Sequence, residues 1–263
     1  MIDLSNIDIE KKLDEIIVWM NEYAKKTNCR GVVLGLSGGK DSTVVAMLCQ
    51  MVFGSNLVAL LMPNGEQKDI TDSVEIAETL GLNHKIVNIE TAYDLVGCVI
   101  ENRFIKDYGW QDNCDKLTDK AKTNIPPRIR MTTLYAVAQT LGYRVVGTGN
   151  RSEAYVGWFT KWGDGANDFN PIAHLTCSEV KALGRVLAGR LGLGNDFVER
   201  FIDKPPADGL TGKTDEDNLG FTYDELDNYI LNGVRGENVD KIEYMHFISE
   251  HKRRMPYTIK DEF

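Results

Sequence analysis

A doubly wound α/β fold, a parallel sheet flanked by helices, is what this sequence predicts, and three observations carry the prediction. Short β-branched runs alternate with helical periodicities from the N-terminus to Gly147. Strands separated by helices pair in parallel. The first run also passes through a glycine-rich turn straight into an apolar helix, a join typical of open α/β sheets. Neither an internal repeat nor an interdomain linker breaks the chain, so one domain over residues 1–263 is expected.

The elements follow in order. Leu13, Ile16, Ile17, Met20 and Tyr23 share one face of a helix over Ile7–Lys26. Gly31–Leu36 (GVVLGL) reads as a buried strand, and Thr43–Phe53 as a helix apolar almost all round. Leu57–Met62 and Lys85–Ile89 read as further strands, and Ile70–Leu80 and Ala92–Asn102 as helices. Pro126-Pro127 is expected to open a helix that Gly142 ends, followed by a strand over Arg144–Gly147. Two long loops come next, Gly157–Asn170 and Asp203–Gly220, whose length and polarity suit an active site. Between them lies a helix over Thr176–Leu191, with Thr176 and Glu179 spaced as a capping box. Helices over Tyr223–Leu231 and Asn238–Glu250 make the C-terminal part helical.

Composition narrows the function. With 43% hydrophobic and 26% charged residues the chain reads as a soluble globule. Its formal net charge of −9 argues against a general nucleic-acid partner, which meets a basic surface. The five cysteines are scattered without C-x-x-C spacing, which disfavours zinc and a disulfide framework. No signal-like apolar run opens the chain, and none approaches the roughly 20 residues needed to span a bilayer. The expectation is a cytoplasmic protein with no membrane partner.

The strongest chemical signal is Gly35-Leu36-Ser37-Gly38-Gly39-Lys40-Asp41-Ser42, between a strand and a helix. Glycines let backbone N–H groups approach an anion, and the helix N-terminus adds positive potential. The loop is not Walker A, because Asp41 follows Lys40 and Leu34 occupies the first glycine position. The stretches GTGNRS and GDGAND lack the third glycine of the dinucleotide fingerprint.

The S-G-G-x-D-S core resembles the pyrophosphate loop of the N-type ATP pyrophosphatases. Further runs narrow the resemblance to the NAD synthetase family: Arg128-Ile129-Arg130-Met131, Gly147-Thr148, Glu153, Phe159-Thr160-Lys161, Gly163-Asp164-Gly165, Asp168-Phe169-Asn170-Pro171 and His251-Lys252-Arg253-Arg254. The resemblance runs from Ile7 to the end. It implies ATP contacts at Gly35 to Ser42, Gln67, Thr148, Cys177 and Ala207. It implies Mg²⁺ on Asp41 and Glu153, where hard oxygen ligands suit a cation shared with phosphates. It implies deamido-NAD contacts at Arg128, Lys161, Asp168, His251 and Lys252, with Asp41 and Lys161 catalytic. Cations at these positions would answer the charge of a dinucleotide carboxylate in an otherwise acidic protein. Trp158, Phe159 and Trp162 are equally consistent with stacking on a ring or with packing the loop.

Two positions depart from the family pattern. Cys177 replaces a lysine found in many bacterial members, with Lys181 one turn further on, and Ala207 replaces threonine or serine. Lys213 in the second loop is a further candidate for the triphosphate. The implied reaction is attack of the nicotinate carboxylate on ATP, loss of pyrophosphate, and displacement of AMP by ammonia. No room is left for an amidase domain, so free ammonia is the expected donor, and the family implies a homodimer. The apolar helices near Ala92–Ile100 and Thr132–Leu141 are candidates for its interface. The alternatives are another N-type ATP pyrophosphatase, such as a tRNA-modifying or GMP synthetase-like enzyme, and a non-catalytic nucleotide-binding protein of the same fold. Paired functional cysteines and a basic surface would favour a tRNA thiolase, and neither is present.

Overall fold

In the computed structural model, the described residues are 4, 7–67, 70–105, 116–204, 214–259 and 261, with the side chains of 103–105 set aside. They form a parallel sheet in the order β3-β2-β1-β4. The strands are β1 (Val32–Gly35), β2 (Leu57–Leu61), β3 (Asn83–Ile86) and β4 (Arg144–Val145). β1 pairs with β2 from Val32↔Leu57 to Gly35↔Leu60, and with β4 through Val32↔Arg144 and Val33↔Val145. The chain therefore winds outward from β1 to β3 and then returns to the other side of β1. That reversal opens a crevice at the carboxyl ends of β1 and β4, where open α/β sheets take ligands.

The doubly wound class expected from the sequence is the one observed. One face of the sheet is covered by α1 (Ile9–Thr27), α2 (Lys40–Phe53) and, further along the chain, a helix over Cys177–Arg190. Val32 and Leu34 point into this core, while Val33 joins Leu60 and Val145 on the opposite face. Burial on both faces explains why the strand is apolar without alternation. α3 (Ile70–Thr79) follows β2, and α4 (Glu90–Val99) follows β3.

α5 (Asp119–Leu141) begins seven residues before the proline pair expected to open it. Thr118 is its true N-cap, accepting from Ala121 N at 3.2 Å, and the prolines lie inside the helix. β3 begins two residues earlier than expected and is largely exposed, so its pattern carries no hydrophobic alternation. A short helix absent from the sequence reading, α6 (Arg151–Val156), follows β4. α7 (Cys177–Arg190) has the expected capping box between Thr176 and Glu179. Gly184 lets α7 close on α2, since a Cβ there would lie 2.9 Å from Val44 Cγ2 and 2.8 Å from Ile202 Cγ2. α8 (Asn195–Phe197), α9 (Asp215–Leu219), α10 (Tyr223–Asn232), α11 (Val239–Ile248) and α12 (Glu250–Arg253) complete the described C-terminal part. A second small core, with Val156, Leu219, Phe221, Tyr223, Leu226 and Ile242, ties α6 to α9, α10 and α11.

Candidate active site

The loop after β1 is shaped by glycine and by its own hydroxyls. Gly38 has φ +81°, a conformation that L side chains avoid, and a Cβ there would lie 2.9 Å from Ser73 Oγ. Ser42 Oγ donates to Gly39 O at 2.9 Å and lies 3.0 Å from Ser37 Oγ. Ser37 Oγ in turn accepts from Gly39 N at 3.3 Å. α2 then starts after Gly39, its N-cap, without a side-chain cap, leaving its first N–H groups to face an anion. Packing of Val44, Val45, Met47 and Leu48 into the main core fixes the direction of this helix.

The loop after β4 brings the second carboxylate. Asn150, fully enclosed, caps α6: its Oδ1 accepts from Glu153 N, and its own N donates to Glu153 Oε2, both at 3.0 Å. The same side chain donates through Nδ2 to Asp41 Oδ1 at 3.1 Å. Asn150 thus sets Asp41 and Glu153 beside one another at the carboxyl ends of β1 and β4. Burial, then the nearby charge of Asp41, pushes the Glu153 carboxyl up to about 8. Sequence reasoning missed Asn150, although N-x-x-E is itself a capping-box signal.

The pair fits a magnesium ion in its donor set: two hard carboxylates pressed together against their repulsion, next to a phosphate cradle. Among the described residues no cluster of three or more ligating side chains occurs. Phosphate oxygens and water would therefore complete the coordination, as is usual for this cation.

The remaining expected ATP positions fall as follows. Lys40 is buried rather than facing solvent, with Nζ 2.6 Å from Asp41 Oδ2. Gly35 and Leu36 end the strand beneath the loop. Thr148 is half-buried just past β4. Gln67 Oε1 closes the turn after β2 by accepting from Asn64 N at 3.0 Å, and Asn64 Oδ1 is buried without a partner. Cys177 opens α7, where its N–H donates to Ser152 Oγ at 3.0 Å. Ser152 donates in turn to buried Asp227, which also takes Ser178 N at 2.7 Å. Burial pushes the Cys177 thiol up to about 12. Ala207 and Lys213 lie outside the described residues.

The expected substrate-binding residues mostly gather at a second pole. Arg128 of α5 donates through Nε to Lys161 O at 3.4 Å, and Lys161 Nζ donates to His251 O. The Lys161 ammonium also lies 5.3 Å from the Trp162 ring centroid. Lys252 is held on backbone carbonyls, 2.8 Å from both Gly157 O and Phe159 O. Arg253 likewise donates to Tyr155 O at 3.0 Å and His246 O at 2.5 Å. The basic run thus clamps the end of α6 and the following loop, where cations meet the carbonyls of a helix end. Asp168 stands apart from this group. Its Oδ2 accepts from Val145 N at 2.7 Å, binding the 168–169 segment to the edge of β4.

Comparison with known proteins places this geometry. The family model described as NAD synthase matches residues 12–256. An NH(3)-dependent NAD(+) synthetase of Carboxydothermus hydrogenoformans is 38% identical, over 95% of this chain and 97% of its own. Among solved structures, an NMN synthetase from Francisella tularensis is 32% identical with a TM-score of 0.81, covering 97% of this chain and 100% of that one. The NH3-dependent NAD synthetase of Campylobacter jejuni is 30% identical with a TM-score of 0.70 at the same coverage.

Proposed function

The chain belongs to the NAD synthase family, and from that premise we propose that it is a ligase that converts deamido-NAD to NAD with ammonia, splitting ATP into AMP and pyrophosphate. The observation that carries the reading is the Asp41–Asn150–Glu153 constellation beside an uncapped helix N-terminus. Loop N–H groups of residues 38–42 and the N-terminus of α2 receive the outer phosphates of ATP. The buried acceptor Asn64 Oδ1 fits a donor of the nucleotide from the turn after β2. Asp41 and Glu153 would hold Mg²⁺, which when bound neutralises phosphate charge and stabilises pyrophosphate as a leaving group.

A nicotinate carboxylate has no leaving group for ammonia to displace. Its attack on the α-phosphorus gives a carboxyl adenylate and releases pyrophosphate. Ammonia then attacks the acyl carbon, AMP leaves, and the extra proton passes to solvent. The chain's task is alignment and charge neutralisation rather than covalent catalysis. Arg128 and Lys161 supply positive charge for the dinucleotide, and the 157–165 loop, clamped by Lys252, positions them.

The test is NAD formation from deamido-NAD, ATP, Mg²⁺ and ammonium, with glutamine in a parallel reaction. NAD with ammonium alone, one pyrophosphate per NAD, supports the reading; a folded protein that binds ATP yet makes no NAD overturns it. A second reading, amidation of nicotinate mononucleotide, is favoured by the higher TM-score to the Francisella NMN synthetase. Running both acceptors side by side separates the two by their kcat/KM ratio.

The proposed assembly is a homodimer. α4 buries none of its side chains in the chain's own core, and Leu95, Val99 and Leu141 are exposed. Light scattering in solution tests it. The proposed location is the cytoplasm; no described helix is long and apolar enough to cross a membrane.

A further inference from the structure

The lysine of the phosphate loop is only 5% exposed, and three helices besides its own bring groups to its ammonium. Asp41 Oδ2 lies 2.6 Å away on α2 itself, in a pair whose side chains are 3% and 17% exposed. Glu153 of α6 and the Cys177 thiol of α7 lie within electrostatic reach. The ring of Tyr223 on α10 lies 5.7 Å from Nζ, and the Tyr223 hydroxyl donates to Asp215 of α9 at 3.3 Å. Asp227 of α10 and, by way of Cys177, Lys181 of α7 are the other charges facing this space.

Two carboxyl groups brought together by Asn150 repel one another whenever both are ionised, unless a cation stands by them. Lys40 is the cation in direct contact with the pair, through Asp41. It approaches Asp41 on one oxygen while Asn150 holds the other, so the acid is pinned from both sides. We propose that Lys40 is a built-in counter-cation, a positioning residue that keeps Asp41 and Glu153 assembled and tunes down their affinity for a divalent ion. The inference rests on the reading of Asp41 and Glu153 as the metal pair.

The consequence is a competition. A dication bound to these carboxylates must share them with a fixed positive charge a few ångströms away, at low effective dielectric. The free protein then binds the metal weakly, and a triphosphate that brings its own negative charge restores the balance. Metal and nucleotide are thereby made to arrive together.

The experiment titrates Mn²⁺ alone into nucleotide-free protein at one pH, reading free Mn²⁺ by electron paramagnetic resonance. Lys40→Gln removes the charge and keeps a donor for Asp41; Lys40→Arg keeps the charge. The expected result is affinity about tenfold or more tighter in Lys40→Gln and close to wild type in Lys40→Arg. Mg²⁺ should also raise Tm more in Lys40→Gln than in wild type. A merely structural lysine would lower Tm without moving the Mn²⁺ affinity, and unchanged or weaker binding in Lys40→Gln overturns the inference. Asp41→Asn separates the two levels. If it abolishes Mn²⁺ binding while Lys40→Gln has no effect, the metal pair stands and the role of Lys40 falls; if it changes nothing, both fall. Lys40→Met, which keeps the aliphatic stem, replaces the glutamine variant should that one not fold.

Discussion

Replacing Asn150 tests the site where fold and chemistry meet. Its side chain makes two bonds at once, accepting from Glu153 N at 3.0 Å and donating to Asp41 Oδ1 at 3.1 Å. Asn150→Ala removes both. Loss of an N-cap costs about 1 kcal/mol. Loss of a buried hydrogen bond to a charged group costs about 1.5–3 kcal/mol more. Asn150→Ala is therefore expected to lose about 2.5–4 kcal/mol of stability by urea unfolding. Asn150→Ser keeps an oxygen for the cap but cannot reach Asp41 with an N–H donor. It should recover about 1 kcal/mol of that loss while remaining impaired in turnover. If the Asp41 bond serves the transition state, both variants drop kcat/KM for pyrophosphate release by about 10- to 100-fold. An Asn150→Ala protein within about 0.5 kcal/mol of wild type would refute the coupling, being no more than a neutral surface change. So would an Asn150→Ser variant with full turnover.

Other perturbations probe the same framework. Glu153 is raised to about 8 in the folded protein, first by burial and then by Asp41. Its ordinary value is about 4.3, so between these values the folded state holds a proton that the unfolded chain has lost. Stability of the metal-free protein should therefore fall as pH rises from about 5 to 8, by an amount on the order of a few kcal/mol, and Glu153→Gln should flatten that slope in urea midpoints. Asp227→Ala strips the buried acceptor of Ser152 Oγ and Ser178 N and should destabilise by about 3 kcal/mol in the same assay, with Asp227→Asn milder. Lys252→Met should raise hydrogen exchange in residues 157–165 and cost about 1–2 kcal/mol, because its ammonium holds Gly157 O and Phe159 O. Leu95→Glu combined with Val99→Glu should shift the mass seen by light scattering from dimer to monomer, since both side chains are exposed in the single chain.

The phosphate loop was legible because its signal is local: a β-branched strand, two glycines and an apolar helix in unbroken succession. The cap of α7 was legible for the same reason, through Thr176 and Glu179. Asn150 and Glu153 carry the same spacing, yet α6 is six residues long and too short for a hydrophobic period to announce a helix. The start of α5 was misplaced because Pro126-Pro127 is a louder signal than the single hydroxyl of Thr118. The basic tail shows a different limit. Composition says that Lys252 and Arg253 need acceptors, but backbone carbonyls leave no trace in side-chain identity. Nor could spacing show that Lys40 turns inward, because the acid it meets is its own neighbour, and the choice between Asp41 and an approaching phosphate is made by burial.

The double use of Glu153 links the start of a helix to the metal pair. Its Oε2 closes the capping box by accepting from Asn150 N, while its charge lies against Asp41 and Lys40. A cation that drew Glu153 toward Asp41 would act on the same carboxylate that satisfies the first turn of α6. That helix, whose last carbonyls Arg253 holds, runs directly into the 157–165 loop, whose carbonyls Lys252 holds. The phosphate pole and the basic pole are therefore joined through one six-residue helix capped at both ends, by Asn150 before it and by the Arg253 guanidinium after it. Rigid helices position catalytic groups better than loops do, and here a six-residue helix carries the connection because both of its ends are satisfied by residues that also serve the site.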